Sequence, residues 1–319
     1  MIRARGLVRR WGGRTALEGV DLDVEPGQIL GLVGPNGAGK TTTIRILATL
    51  LAPTAGEVEV CGIDALARPD AVRRRLGYLP DAWGVEPGAR VDEYLRFFAA
   101  AHGVPRRERR ARIDAALELT DLGDLRARRA DELSKGVRQR LGVARTLVHD
   151  PDALILDEPA DGLDPRARVE LRALLRELAS MGKAVLISSH ILGELHGLVD
   201  AIAIVEGGRL AASGPIDDVL RRVDVRGATL RHYVLRTTEA RAAAACAQLP
   251  ALPTVVHAER TGPREVAFAL QAVAGEAGDE GVGVVVDGLV LLGVPVLGLR
   301  EDKADLERAF LAMTEGRVQ

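Results

Sequence analysis

The sequence predicts an α/β chain: a mainly parallel sheet with helices on its faces, followed by a small α+β domain. Three observations predict it. The short continuous apolar runs Ile29–Val33, Ala153–Leu156 and Ala184–Ser188 read as strands buried on both faces. Segments of helical periodicity separate them, the alternation that accompanies parallel pairing. A glycine-rich turn, Gly34–Gly39, joins the first run to a helix.

The elements follow in order. Leu17, Val20, Leu22 and Val24 contain an alternating run, closed by the turn Glu25-Pro26-Gly27. After the glycine-rich turn, Thr42–Leu51 reads as a helix, ended by Pro53–Gly56. Glu57–Cys61 is a further strand, giving an antiparallel β subdomain at the start of the chain; helix Arg68–Arg75 and strand Leu76–Leu79 follow. From Val91 to Ser134 there is no strand signal. Tyr94, Leu95, Phe97 and Phe98, then Ile113, Ala116, Leu117 and Leu119, form amphipathic patterns, so this stretch reads as a helical insertion of about 85–150. Helix Gly136–Val148, strand Ala153–Leu156, helix Pro165–Met181 and strand Ala184–Ser188 restore the α/β rhythm. Ala201–Val205 and Arg209–Ser213 read as a hairpin through Gly207-Gly208. The style changes at about Val223, so the expected domains are 1–222 and 223–319. The second contains strands Tyr233–Arg236, Thr254–His257, Glu265–Leu270 and Val294–Leu299, helix Glu239–Leu249, and helix Lys303–Met313 behind the N-cap Asp302.

Composition narrows the function. The 319 residues suit about two domains. Hydrophobic residues make up 47% but aromatics only 3%, so the core must be built from Ala, Leu and Val. A net charge of -2 and no basic stripe argue against a nucleic-acid partner. The arginine-rich stretches 106–112 and 126–129 have acids interleaved or nearby and read as solvated helix faces. Cys61 and Cys246 match no metal spacing and fit a reduced, cytosolic compartment. The start of the chain is strand-like, with no signal-peptide core. Val282–Leu299 is apolar, but Asp287, Pro295 and four glycines make it a helix and strand broken at Gly293 rather than a membrane span.

Gly34-Pro35-Asn36-Gly37-Ala38-Gly39-Lys40-Thr41 matches the P-loop pattern in full, with Thr42 continuing into the helix. Glycines let successive backbone N–H groups curl around phosphates, and the helix turns its N-terminus to the same anion. Lys40 supplies a point charge for the β- and γ-phosphates, and the Thr41 hydroxyl can ligate Mg²⁺. Lysine occurs elsewhere only at 135, 183 and 303, so a compact ammonium at 40 in an arginine-dominated chain is a specific choice. Asp157 and Glu158 tip the strand Ala153–Leu156. The first can hold Mg²⁺ through water, and the second stands where a base polarises an attacking water. The expected ligands are therefore ATP and Mg²⁺ on a P-loop NTPase core.

Leu133-Ser134-Lys135-Gly136-Val137-Arg138-Gln139-Arg140 resembles the signature motif of the ABC transporter ATPases, lying between the helical insertion and the acid-tipped strand. Ala160-Asp161-Gly162-Leu163-Asp164-Pro165 is similar to their D-loop, and His190, after Leu186-Ile187-Ser188-Ser189, to their switch histidine. The ordered resemblance covers roughly Ile2 to Leu220. It implies an ATP-hydrolysing subunit with Glu158, His190 and Lys40 in catalysis. It also implies that two ATPase domains, in a homodimer on this reading, pair head to tail so that Ser134 and Gly136 meet the γ-phosphate on the opposite P-loop. Trp11 stands where the family stacks an aromatic on adenine. Lys135 replaces the commoner Gly and resembles the drug, antibiotic and polysaccharide exporter branch. Asp305–Leu311 is similar to that branch's terminal helix. Val137 replaces Gln and removes a hydrogen-bonding side chain. Asp81 stands at the usual Gln near Mg²⁺, with shorter reach. The implied partner is a separate transmembrane permease, which would place this chain in the cytoplasm at the inner face of the membrane. The rival is an ABC ATPase of DNA repair or translation. Those usually carry a coiled-coil insertion, tandem units or basic tails, none of which is visible in the sequence.

Overall fold

A computed structural model describes residues 1–195, 197–216, 218–219, 230–271 and 279–301, which belong to two compact units. The first begins with β1 (Ile2–Trp11), β2 (Arg14–Val24), β3 (Ile29–Val33), α1 (Lys40–Leu47), β4 (Ala55–Val60) and β5 (Ile63–Asp64). It continues through α2 (Pro69–Arg73), β6 (Leu76–Leu79), α3 (Val91–Ala101), α4 (Arg109–Leu119) and α5 (Lys135–Leu147). It closes with β7 (Ala153–Leu156), α6 (Pro165–Ser180), β8 (Ala184–Ser189), α7 (Leu192–Leu195), β9 (Ala201–Glu206) and β10 (Arg209–Pro215).

Two sheets hold this unit. One is antiparallel, in the order β2-β1-β4-β5. The other has the order β10-β9-β3-β8-β7-β6, parallel from β9 to β6 with β10 antiparallel at its edge. The expected strand character follows burial: every residue of β3, β7 and β8 is buried, as a strand covered on both faces requires. Ile44, Ile46 and Leu47 of α1 share one core with Ile2 and Leu7 of the antiparallel sheet and Leu32 and Leu186 of the parallel one. Each such side chain contributes about 1.5–3 kcal/mol on burial. The helix that follows the glycine-rich turn is thereby clamped between two sheets.

The parallel register sets the site. Val33 pairs with Ser189, Leu156 with Ile187, and Leu79 with Leu156. The carboxyl ends of β3, β8, β7 and β6 therefore finish at nearly one level, the edge where open α/β sheets bind ligands.

The second unit has β11 (Leu230–Arg236), α8 (Glu239–Gln248), β12 (Val255–Arg260), β13 (Glu265–Gln271), α9 (Asp279–Leu291) and β14 (Gly298–Glu301). Its antiparallel sheet has the order β12-β13-β11-β14. Phe268, Leu235, Leu249, Val285 and Leu289 form its core.

Several expected bounds move. The first helix begins at Lys40 and stops at Leu47, so it starts two residues earlier and ends four residues earlier than the apolar pattern implied. The last described strand is Gly298–Glu301, not Val294–Leu299. Val294 is buried in the core of this unit, but the ladder to β11 starts only at Gly298. Apolar character there reports burial rather than pairing. The 222/223 boundary, Asp302, helix Lys303–Met313 and Asp305–Leu311 lie outside the described residues. Among the described residues, no helix is long and apolar enough to cross a membrane.

Candidate nucleotide site

The turn after β3 is shaped by what cannot fit beside it. A Cβ at Gly34 would overlap the Val205 carbonyl oxygen, and at Gly39 it would lie 2.7 Å from Leu17 Cδ2. Gly39 also has φ +114°, a conformation that L side chains rarely adopt, and it caps α1. Lys40, the first helical residue, is only 6% exposed. Its ammonium donates to the Gly34 carbonyl at 2.6 Å and lies 3.6 Å from Glu158 Oε1. The P-loop lysine is thus held against the loop and the candidate base together.

Asp157 follows β7 and is 2% exposed. Its backbone N–H donates to Leu79 of the neighbouring strand at 2.8 Å. Burial raises its pKa above the ordinary carboxylate value, and the Glu158 and Asp81 charges add to the rise. Ser188 and Lys40 oppose it. Ser188 Oγ donates to Asp157 Oδ1 at 2.6 Å and accepts from the Glu158 N–H at 2.8 Å. One hydroxyl therefore fixes both acids. Glu158 has φ +49°, an uncommon conformation for a non-glycine residue that stores strain at functional sites. Its Oε2 accepts from the His190 N–H at 3.2 Å and meets His190 Nδ1 at 2.9 Å.

These groups surround a cavity of about 480 Å³, lined by Pro35, Asn36, Gly37, Gly39, Lys40, Thr41, Thr42, Asp81, Glu158, Asp161, His190, Trp11, Arg14 and Ala16. Trp11 is 46% exposed, with the Arg9 guanidinium 4.8 Å from its ring centroid. An indole with a cation on one face leaves the other for a flat ligand. Gly34, Ala38 and Asp157 stand behind this wall rather than on it.

Ser134 and Gly136 do not line the cavity. Ser134 caps α5, its Oγ accepting from the Val137 N–H at 3.4 Å. Val137 contributes this backbone donor although its side chain cannot hydrogen-bond. Sequence reasoning quoted Ser188 without giving it a role, and it missed Arg9 and Arg14. Ser188 carries a weak signal, one strand register away from the acids. The arginines belong to no recognisable motif: Arg9 reaches Trp11 from two residues earlier on β1, and Arg14 pairs with Trp11 across the β1–β2 ladder.

Comparison with known proteins bears on this arrangement. Residues 17–161 match the ABC transporter domain model. The chain is 40% identical over 218 residues to a daunorubicin resistance ATP-binding protein of Streptomyces coeruleorubidus, across 68% of this chain and 69% of that one. The chain belongs to the ABC transporter ATP-binding family. A Nod factor export ATP-binding protein of Cupriavidus metallidurans is 34% identical over 261 residues, covering 73% of this chain and 86% of its own. A solved ATP-binding subunit of an ABC transporter superposes with TM-score 0.64 at 30% identity, over 72% of this chain and 95% of that one. A dimeric bacterial ABC transporter cassette shares the fold at TM-score 0.61 and 23% identity. This ABC subunit is accordingly an ATP-binding, ATP-hydrolysing ATPase.

Proposed function

We propose that this ABC ATPase powers export through a separate transmembrane permease, as a pair of identical chains that share two ATP molecules. The observation that carries the chemistry is the placement of Glu158. It is held from three sides, by Lys40, Ser188 and His190, next to a buried acid at the mouth of the phosphate loop. That arrangement suits in-line transfer of a phosphoryl group to water, where catalysis is positioning and charge stabilisation. Glu158 accepts a proton from the attacking water. Lys40 and the loop amides stabilise charge on the phosphates, and His190 holds Glu158 in place. Trp11 stacks on adenine.

A divalent cation fits the donor set. Asp157 offers a buried carboxylate, Thr41 a hydroxyl and Asp81 a second carboxylate at the cavity wall, all hard oxygen ligands. When bound, Mg²⁺ supplies charge neutralisation for the terminal phosphates. Ser134 and Gly136 serve the nucleotide of the paired chain. The names of the relatives support export, and the permease places this subunit at the inner face of the cell membrane.

The test is reconstitution in vesicles with a polytopic membrane protein that co-purifies with this chain. Transport is expected to require ATP and to vanish with Lys40→Ala. ATP turnover without any dependence of transport on it contradicts the export reading. Asp81→Ala is expected to lower transport per ATP hydrolysed more than ATP affinity. An unchanged ratio returns Asp81 to the status of a loop residue.

A further inference from the structure

We propose that Lys135 is a positioning residue. It ties the start of α5 to the turn that walls its own chain's nucleotide cavity, and so links the two sites of the paired molecule. This inference rests on the shared-site reading above.

Lys135 is the first residue of α5, next to the cap Ser134. Its side chain turns back along its own chain. The ammonium lies 3.9 Å from Asp161 Oδ2 and sits over Gly162, where a Cβ would overlap it. Gly162 has φ +59°, so the turn presents a bare backbone that leaves room for the lysine. Asp161 lines the nucleotide cavity. The same turn begins at the strained Glu158, whose carbonyl accepts from the Asp161 N–H at 3.2 Å. The connection therefore runs from the candidate base, through a three-residue turn, to the helix end expected to meet the other chain's phosphate.

Packing below the ion pair keeps the two elements in register. A Cβ at Gly136 would come within 2.9 Å of Ala167 in the first turns of α6, and Arg140 lies 3.9 Å from Glu170 one turn further along. A displacement of the Asp161 turn in one site is thereby carried to Ser134, which belongs to the other site. The lysine that departs from the commoner glycine in the signature thus has a specific acid to face. Both side chains are more than half exposed, so the pair adds little to stability. Its effect is on placement of the Asp161 turn, which the Gly136–Ala167 contact does not reach.

The experiment uses the full chain carrying Glu158→Gln and follows dimer formation by sedimentation across a Mg²⁺–ATP titration. Lys135→Ala and Asp161→Ala are each expected to raise the ATP concentration for half-maximal dimer by about 1.5- to 5-fold, the range of exposed ion pairs. The double variant is expected to do no more than the larger single change. Exchanging the charges, Lys135→Asp with Asp161→Lys, is expected to return the half-point below that of either reversal alone. Lys135→Arg retains the parent value, and thermal midpoints stay unchanged throughout. Strictly additive effects, no shift with Lys135→Ala, or an exchanged pair no better than its single reversals each overturn the proposal while the dimer reading stands. A parent chain that stays monomeric at saturating ATP overturns the shared-site reading and the proposal with it.

Discussion

The two chemistry-bearing ends of the ATPase unit are built in opposite ways. At the carboxyl ends of β3, β7 and β8, Lys40 and Asp157 are buried, and Glu158 is fixed from three directions on a strained backbone. At the start of α5, Ser134 is exposed and Gly136 partly so, and neither reaches the cavity. First-turn N–H groups of a helix have no intrahelical partner and favour an anion. The first end is preorganised within one chain. The second presents helix-start N–H groups that do not line this chain's own cavity. On the proposed shared-site reading, the difference teaches that the geometry is assembled in two steps, folding and then pairing.

The comparison can be broken most severely at the preorganised end. Glu158→Gln is expected to keep ATP binding while turnover falls by about 10²–10⁴, the range for loss of a general base. Near-normal turnover removes Glu158 from that role. Ser188→Ala withdraws the hydroxyl that serves both acids. Loss of a hydrogen bond to a charged group costs about 1.5–3 kcal/mol, so turnover is expected to drop by about 10- to 100-fold with the fold retained by circular dichroism. An unaffected rate means the strand register alone positions Asp157 and Glu158.

At the rim of the same cavity the effect is on affinity rather than rate. Trp11→Ala is expected to weaken nucleotide binding by about 1–3 kcal/mol, the value of one stacked base, with Trp11→Tyr close to the parent. Equal losses for both substitutions argue against stacking.

The mildest change concerns a half-buried pair away from the cavity. His102 and His149 stack with ring centroids 3.8 Å apart, and His149 Nε2 lies 3.1 Å from the Leu76 carbonyl. Burial, aided by the His102 charge, lowers the His149 pKa to about 4. The folded state therefore holds a neutral ring while the unfolded chain takes up a proton below its ordinary value of 6.5. Stability is full above that value and is lost as pH falls from 6.5 towards 4, by at most about 3 kcal/mol. His149→Gln is expected to flatten this slope in denaturant titrations without altering turnover at neutral pH. An unchanged slope assigns the acid sensitivity to other groups.

Much of the preorganised end was legible because its residues are close in sequence. Lys40 and its loop form one uninterrupted motif, and Asp157-Glu158 end an apolar strand. The order of short motifs gave the family resemblance. What was not legible depends on strand register and side-chain reach. Ser188 meets Asp157 across 31 residues because β7 and β8 run level. Arg9 reaches the Trp11 ring from two residues earlier on a bulged strand, and Lys135 finds Asp161 only once α5 and α6 are packed. In the second unit, Val294 marked a strand by apolarity although it is a buried connector, because burial and pairing leave the same trace in composition.

The central claim is that a complete ATP site needs two chains, and mixed protomers test it most directly. One protomer carries Glu158→Gln with Lys40→Ala, the other Glu158→Gln with Ser134→Arg. Each alone is expected to remain monomeric in sedimentation at saturating Mg²⁺–ATP. Mixed, they share one composite site with an intact Lys40 and an intact Ser134, and a heterodimer retaining about one nucleotide is expected, following reciprocal two-fold pairing. A mixture that stays monomeric while the plain Glu158→Gln chain dimerises contradicts the account.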